Sequence, residues 1–451
     1  MSSETERTAK QGRRVRLWHV LVVAAVVLVG VVLGLRWHWV RGFRKRVEAI
    51  AAAGYPVTPR ALDAWYAWPE SGENAAGWID EAGARLTLPK KGYDRLRELA
   101  RNPVLHAHED PLAEDLNSLL IEHVEANAEA LDLLHQAATV GGGRYPIDSS
   151  EGFFTPLPHV SVYDQSHCLL CLEALLCMGR DDTDGAVRAI ESALGIAGSL
   201  ASEPIVLSQN LRLRSQRSVL AVLERLLCRQ TLTEAQLGRL EAAVLETRAP
   251  DGVKRALVGD QCMLVDLFTR PGLIYEDSLR KSPHPAILEA YVGLGLGARE
   301  GNVFLDMIGE YRRIIELPTP RRVEAVKGVE TEYNARLKHS VLWPKYPWTG
   351  MVVRLEIEGM ARQRAATVAL AIERFRLKMG RCPETLAELA PEYLPTLPED
   401  PFDGALLRSR WLDGGYVVYS VGEDGVDDDG KERPPGEEDG ETYDVTFMVL
   451  R

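Results

Sequence analysis

Residues 17–35 read LWHVLVVAAVVLVGVVLGL, and this run constrains the chain more than any other feature. His19 is its one titratable residue, and it sits near one end. About 20 apolar residues at ~1.5 Å rise span a ~30 Å hydrocarbon layer. Lipid offers the backbone no hydrogen-bond partners, so the segment must be helical there. Trp18, Trp37 and Trp39 lie at its two ends, where amphipathic rings settle at headgroup level. A cleaved signal peptide would show a small-residue processing site after the apolar stretch, whereas GLRWHWVRGF follows. The expectation is an uncleaved single-pass anchor over residues 17–40, preceded by a basic tail, residues 1–16. Five basic residues precede the apolar run (Arg7, Lys10, Arg13, Arg14, Arg16) and five follow it (Arg36, Arg41, Arg44, Lys45, Arg46), so charge alone does not orient the helix. The short tail favours the N-terminus inside and the body on the outer, periplasmic side of a cell membrane.

A net charge of −12 on 451 residues conceals a local concentration. Between Ser420 and Asp444 eleven acids face only Lys431 and Arg433, and the remainder is close to neutral. Outside the membrane flanks there is no basic footprint for nucleic acid. The six cysteines (Cys168, Cys171, Cys177, Cys228, Cys262, Cys382) are sparse, and five lie in apolar helical runs, where a thiol packs as a small hydrophobe.

From residue 41 to about 345 the periodicity is helical throughout, which predicts an all-α body, either a bundle or an irregular solenoid. Leu112, Leu116, Leu120, Val124, Leu131 and Leu134 recur at helical spacing along 111–138. Residues 163–200 read as a helical hairpin broken at RDDTDG, with Ala186, Ile190, Ala193, Leu194 and Ala197 on one face. The hairpin loosely resembles a tetratricopeptide-type unit, but no 34-residue period is present. Thr233 with Gln236 forms a capping box, and Thr319-Pro320 reads as an N-cap followed by proline at the first helical position. The prolines and aromatics of SVLWPKYPWTG (340–350) mark a boundary, with a small α+β module expected over 346–451.

In that module, Val353, Ile357, Ala361, Val368, Ile372, Phe375 and Met379 predict a long helix over 353–379, stopped by Gly380 at C′. A short capped helix at Thr385–Leu389 follows, with Glu388 completing the box. Leu407, Ser409 and Trp411 alternate, and 415–421 and 444–450 are rich in aromatic and β-branched residues, predicting three strands. The fold class is therefore mainly α, with an N-terminal transmembrane helix, a helical body, and a long helix plus three-stranded antiparallel sheet at the end.

The run RCPETLAELAPEYLPTLPEDPFDG, then GYVVYSVGEDG, then an acidic stretch ending at Asp444-Val445, resembles the C-terminal half of the major pseudopilin of type II secretion, general secretion pathway protein G. The resemblance covers roughly residues 360–451 and rests on Pro383, on Leu397-Pro398-Glu399-Asp400-Pro401, and on Tyr419-Ser420-x-Gly422-x-Asp424-Gly425. The whole chain also resembles uncharacterised membrane-anchored bacterial proteins with this ending. In pseudopilins a processing site directly precedes the membrane helix. Here Gly42-Phe43 follows the helix and leads into Arg44-Lys45-Arg46, so assembly into a pseudopilus is not implied.

The resemblance implies a calcium site in the loop between the last two strands. Carried over, its ligands are Asp424 and Asp444, with Asp427 and the Ser420 carbonyl as helpers. Calcium takes six to eight oxygens, and clustered aspartates supply them. The loop is not an EF-hand, because Gly425 falls where the first acid is needed. Its alternative is a solvated charged hairpin.

Other constellations fail on context. His106-x-His108-Glu109-Asp110 has no second ligand cluster, Cys168-x-x-Cys171 sits inside an apolar helix, and Gly293-x-Gly295-x-Gly297 follows a helix rather than a strand. No Gly-x-Ser-x-Gly or Walker A motif occurs. The expectation is a non-catalytic, envelope-anchored structural or interaction protein. It would meet lipid through residues 17–40 and protein partners through its helical body, with no nucleic-acid role. The alternatives are an enzyme whose site is assembled in the helical domain and a component associated with type II secretion or a pilus.

Overall fold

The computed structural model describes residues 2–66, 68, 69, 72–102, 112–247, 249, 251–269, 285–338, 340, 348–431 and 443–450, with side chains from residue 18 onward except at 149, 151, 154, 285–288 and 348. The first helix, α1, runs Ser2–Ala52, past both ends of the expected 17–40 span. Its extension has a physical cause in the sequence that follows the apolar run. Phe43, Val47 and Ile50 recur on one face and pack into an apolar cluster of the body. Phe43 meets Phe268 edge-on, with ring centroids 6.3 Å apart, and lies over Gly301, where a Cβ would fall 2.6 Å from its ring. Asn302 donates to the Trp39 carbonyl, and Arg46 pairs with Asp306. The apolar run thus continues into the body as one helix, with no hinge between them.

Five helices follow: α2 (Pro59–Trp65), α3 (Ala75–Arg85), α4 (Tyr93–Arg101), α5 (Glu114–Ala126) and α6 (Ala128–Val140). The stripe read as one helix over 111–138 is two, broken at Asn127. That side chain is 1% exposed, and its carboxamide both accepts from the Thr87 amide (2.6 Å) and donates to the Thr87 carbonyl (3.0 Å). Two hydrogen bonds to a distant backbone outweigh one lost helical turn, and periodicity cannot register them.

Helices α7 (Pro158–Gly179) and α8 (Thr183–Ala197) form the expected hairpin. Asp181 turns the chain at φ +57°, and Asp182 caps α8 by accepting from the Gly185 amide at 2.9 Å. All five residues of the α8 stripe are buried. Helix α9 (Val206–Arg229) runs through the middle of the protein and packs on α7, α8, α11 and the C-terminal elements. The Thr233–Gln236 capping box opens α10 (Glu234–Glu246). Helix α11 (Gly252–Thr269) crosses the Pro204 carbonyl at Gly259, where a Cβ would sit only 1.7 Å from that oxygen. Then come α12 (Pro285–Gly293), α13 (Leu296–Ile315) and α14 (Thr319–Arg336). Gly293–Gly297 is the α12–α13 turn, with Gly295 at φ +77°. Thr319 is the first helical residue of α14, not its N-cap; Pro318 holds that place and no side chain caps it.

Helix α15 (Trp348–Met379) ends at Gly380, φ +70°, as its C′ position requires. The Thr385–Glu388 box is present, and the segment it caps is a 3₁₀ turn, Leu386–Leu389. Strands β1 (Arg408–Leu412), β2 (Gly415–Ser420) and β3 (Val445–Leu450) form an antiparallel sheet in that order, pairing Trp411 with Tyr416 and Tyr419 with Thr446. Helix α15 covers the sheet, and Tyr416 donates from its hydroxyl to Glu373 at 3.0 Å. A free sheet edge is a template for unwanted pairing. Here α9 covers β3: Glu224 accepts from the Met448 amide (2.7 Å), and the Cys228 thiol both donates to the Met448 carbonyl and accepts from the Leu450 amide. One apolar core accordingly joins α3–α10 to Ala365–Phe375, Tyr416, Val418, Phe447 and Val449.

Candidate functional site

The acidic loop leaves β2 at Ser420 and re-enters the sheet at Val445; residues 432–442 lie outside the described residues. Ser420 is fully buried, and its hydroxyl donates to Asp400 Oδ1 at 2.7 Å. Asp400 organises this end of the sheet. It accepts from the Phe402 amide (2.9 Å), the Val421 amide (3.0 Å) and Arg408 Nη1 (3.2 Å) as well. Its signal in the sequence was its place between two prolines in the Pro398–Pro401 run, though Arg408, Ser420 and Val421 reach it from farther along the chain. Arg408 also binds Asp403 (2.7 Å) and Asp427 (3.0 Å), so Asp427 is committed to a guanidinium. Asp424 is exposed and accepts from the Val426 amide.

Asp444 is 6% exposed; its Oδ2 accepts from the Gly430 amide at 2.7 Å, and its Oδ1 has no hydrogen-bond partner among the described residues. Asp428 Oδ2 is likewise buried and unpartnered. Burial raises the Asp444 carboxyl above its usual range against the opposing Gly430 and Asp428 amides, and the charges of Asp427 and Asp428 add to the rise. The four predicted ligands are therefore spread over three local arrangements. No group of three or more acidic, histidine or cysteine side chains is placed to hold a metal among the described residues. The two orphaned oxygens on Asp428 and Asp444 are what a cation would find here.

Cys168 and Cys171 are buried in α7; burial pushes the Cys168 thiol up to about 12, with the Asp164 charge adding to it, and Cys171 well above its usual value. Both are packed thiols rather than nucleophiles. The His106–Asp110 cluster lies outside the described residues.

Two polar networks were invisible in the sequence. His135 of α6 contacts Ser192 Oγ of α8 through Nδ1 (2.7 Å) and Glu173 of α7 through Nε2 (3.1 Å). This is the connectivity of a serine–histidine–carboxylate relay. Ser192 is 5% exposed and Glu173 9%, so an acyl substrate has no access to the hydroxyl in this arrangement, and the three groups serve to tie three helices together. The second network is deeper. His159 Nε2 lies 3.0 and 3.1 Å from the two oxygens of Glu203, which is wholly buried and accepts from Ser208 Oγ at 2.6 Å. Tyr145 stacks on His159 at 4.4 Å.

Helix α9 has a cleft on either side. One, of about 930 Å³, is lined by Arg101, Asp164, His167, Asn210 and Arg214. Burial pushes His167 down to about 4, leaving it neutral. The other, of about 320 Å³, lies between α9, α14 and α15. Comparison with protein-family profiles, with curated proteins and with solved structures finds no match to this chain.

Proposed function

We propose that this protein is a non-catalytic, single-pass membrane protein of the bacterial envelope whose helical body presents a rigid surface to protein partners. One observation carries the reading. An 18-residue apolar window of α1, within Trp18–Ala52, is 0% buried, whereas the long apolar helices of the body, α7 and α9 among them, are largely covered. Trp18 and Trp37 are 69% and 62% exposed at its ends. An apolar cylinder of this size left in water opposes the hydrophobic effect, and a bilayer removes the conflict. The helix meets the body without a break, so the body is held at a set angle to the membrane.

The full-length protein is expected to stay with membranes through alkaline carbonate extraction, and a variant lacking residues 2–35 to appear in the soluble fraction. Recovery of both forms in the supernatant would remove the anchored reading. Protease protection in spheroplasts tests the side: digestion of the body by added protease places it in the periplasm.

The pseudopilin-like ending supports a calcium-stabilised terminal loop. Of the ligands carried over from the resemblance (Asp424, Asp427, Asp444 and Ser420), Asp444 is the one with a buried oxygen to offer, while Asp427 is held by Arg408 and the Ser420 hydroxyl by Asp400. Buried, unpartnered oxygens on Asp428 and Asp444 are the features that favour it. A divalent cation would offset the mutual repulsion of the loop carboxylates. Millimolar calcium is expected to raise the melting temperature of the full-length protein in detergent by a few degrees, and Asp444→Asn to abolish the rise. No shift, together with no heat on calorimetric titration, would leave the loop a solvated hairpin.

A further inference from the structure

The smaller cleft beside α9 has an electrostatic character opposite to that of the chain. The protein carries −12 overall, yet Arg212, Arg217, Arg322, Arg362 and Arg364 all line this one cavity. Glu356 is the single carboxylate among the lining residues. Glu358, nearby, pairs with Arg217 (3.3 Å) and Arg362 (3.7 Å). Arg322 donates to the Leu317 carbonyl at 2.9 Å and lies 3.4 Å from Glu356.

Arg212 is the one fully buried arginine of the five. It is 2% exposed, and its Nε donates to Gln209 Oε1 at 2.7 Å. Gln209 is itself held by the Leu200 and Glu203 carbonyls. No carboxylate pairs with Arg212 among the described residues; Glu356 acts on it only at longer range, against the opposing effect of burial. A buried guanidinium held chiefly by a neutral amide is costly to desolvate, and an anion in the adjoining cavity would offset that cost. Natural proteins seldom keep such a charge unless an anion meets it.

The rest of the lining is apolar or neutral. Leu194, Leu213, Leu220 and Met360 supply its apolar side chains, and Thr247, Gln216 and Gln363 its neutral polar ones. Gly359 opens the cavity between them: a Cβ there would meet only Leu213 Cδ2, at an ordinary 3.7 Å. About 320 Å³ lies at the small end of ligand cavities. Planar guanidinium forks match oxyanions bidentately. Arg212 and Arg322 together offer two guanidinium forks beside a single lining carboxylate, which suits a doubly charged phosphate better than a singly charged carboxylate.

We propose that this cleft binds a phosphate group carried on a small apolar body, with buried Arg212 and the more exposed Arg322 gripping the oxyanion and the apolar side chains of the lining, Leu213, Leu220 and Met360 among them, receiving the apolar part. The phosphate belongs either to a free organic ester or to a lipid headgroup, and both meet the same residues.

The test uses the full-length protein in dodecyl maltoside and reads the thermal midpoint against ligand concentration. Sodium chloride at matched ionic strength removes the contribution of screening. The probes are inorganic phosphate, hexyl phosphate and dihexanoyl phosphatidic acid. A saturable rise with hexyl phosphate, about ten-fold or more tighter than with inorganic phosphate, is expected, since ligands that bind only the folded state raise its midpoint. Still tighter binding of the phosphatidic acid assigns the site to a lipid headgroup; equal or weaker binding assigns it to a free ester. Arg212→Gln and Arg322→Gln should each weaken binding about ten-fold or more. Because Arg212→Gln removes a buried group and can disturb folding, Gly359→Leu serves as the second variant. It fills the cavity at a helical position that accepts a side chain, so the unliganded midpoint should hold or rise while the phosphate response disappears. The proposal is overturned by the absence of a saturable shift with any probe, or by an unchanged shift in Arg322→Gln and Gly359→Leu.

Discussion

Glu203→Ala is expected to cost about 3–5 kcal/mol of stability, the range for breaking one side of a buried polar pair. Glu203 is wholly buried and is the common acceptor for His159 Nε2 and Ser208 Oγ. Removing its carboxylate strands both groups away from water, at about 1–3 kcal/mol each. The cavity left by the lost atoms adds to this, because Tyr145, stacked on His159 and bonded to Ser199, prevents the site from collapsing. Glu203→Gln keeps one acceptor oxygen and should lose less. Urea midpoints at unchanged slope give the comparison. A loss under about 1 kcal/mol for the alanine variant would mean that the network is relaxed by solvent and does not hold α7 to α9.

Asp260→Asn is expected to stabilise the protein at pH 8 and to leave it unchanged near pH 4. Asp260 lies in α11, 6% exposed, and its Oδ1 accepts from the Val206 amide at the start of α9. Burial raises its carboxyl to about 7, opposed only by that hydrogen bond. In the unfolded chain the same group titrates near 4. The folded state therefore binds the proton more tightly. The resulting stability is fully present below about pH 4 and is lost as pH rises through 7. The tighter hold on the proton corresponds to about 4 kcal/mol as an upper bound, lost between those limits. Asparagine keeps an acceptor for Val206 and has no charge to bury, so the variant should be spared only the Asp260 part of that fall. Glu356, also raised to about 7 mainly by burial and held back by Arg322 and Arg212, adds a second component of the same sign. The difference between parent and Asp260→Asn, followed from pH 4 to 8, isolates the Asp260 contribution. Parallel pH curves for the two proteins would show that Asp260 ionises in its ordinary range.

Where structure follows from residues close in sequence, it was legible. The apolar run needs only its own composition. The α7–α8 hairpin needs Asp182 within reach of Gly185. The capping boxes at Thr233 and Thr385 and the stop at Gly380 each involve residues at most four apart. The alternation in 407–411, 415–421 and 444–450 placed the three strands to within a residue or two. Where a distant partner decides, periodicity was misleading or silent. The 111–138 stripe is continuous, yet Thr87, forty residues upstream, captures Asn127 and splits the helix.

The sequence alone determined that this chain has a segment long and apolar enough to cross a membrane, that its body is helical, and that it ends in a helix and a small sheet. Those outcomes depend on hydrophobic periodicity, caps and turn residues, which act over a few positions. Tertiary structure alone decided that α9 seals the edge of β3, that Asp400 gathers four donors, that His159 meets Glu203, and that five arginines from α9, α14 and α15 face one cavity. Each of these depends on burial and on contacts between residues far apart in the chain, where a charge or a polar atom acquires its meaning only from what the fold sets beside it.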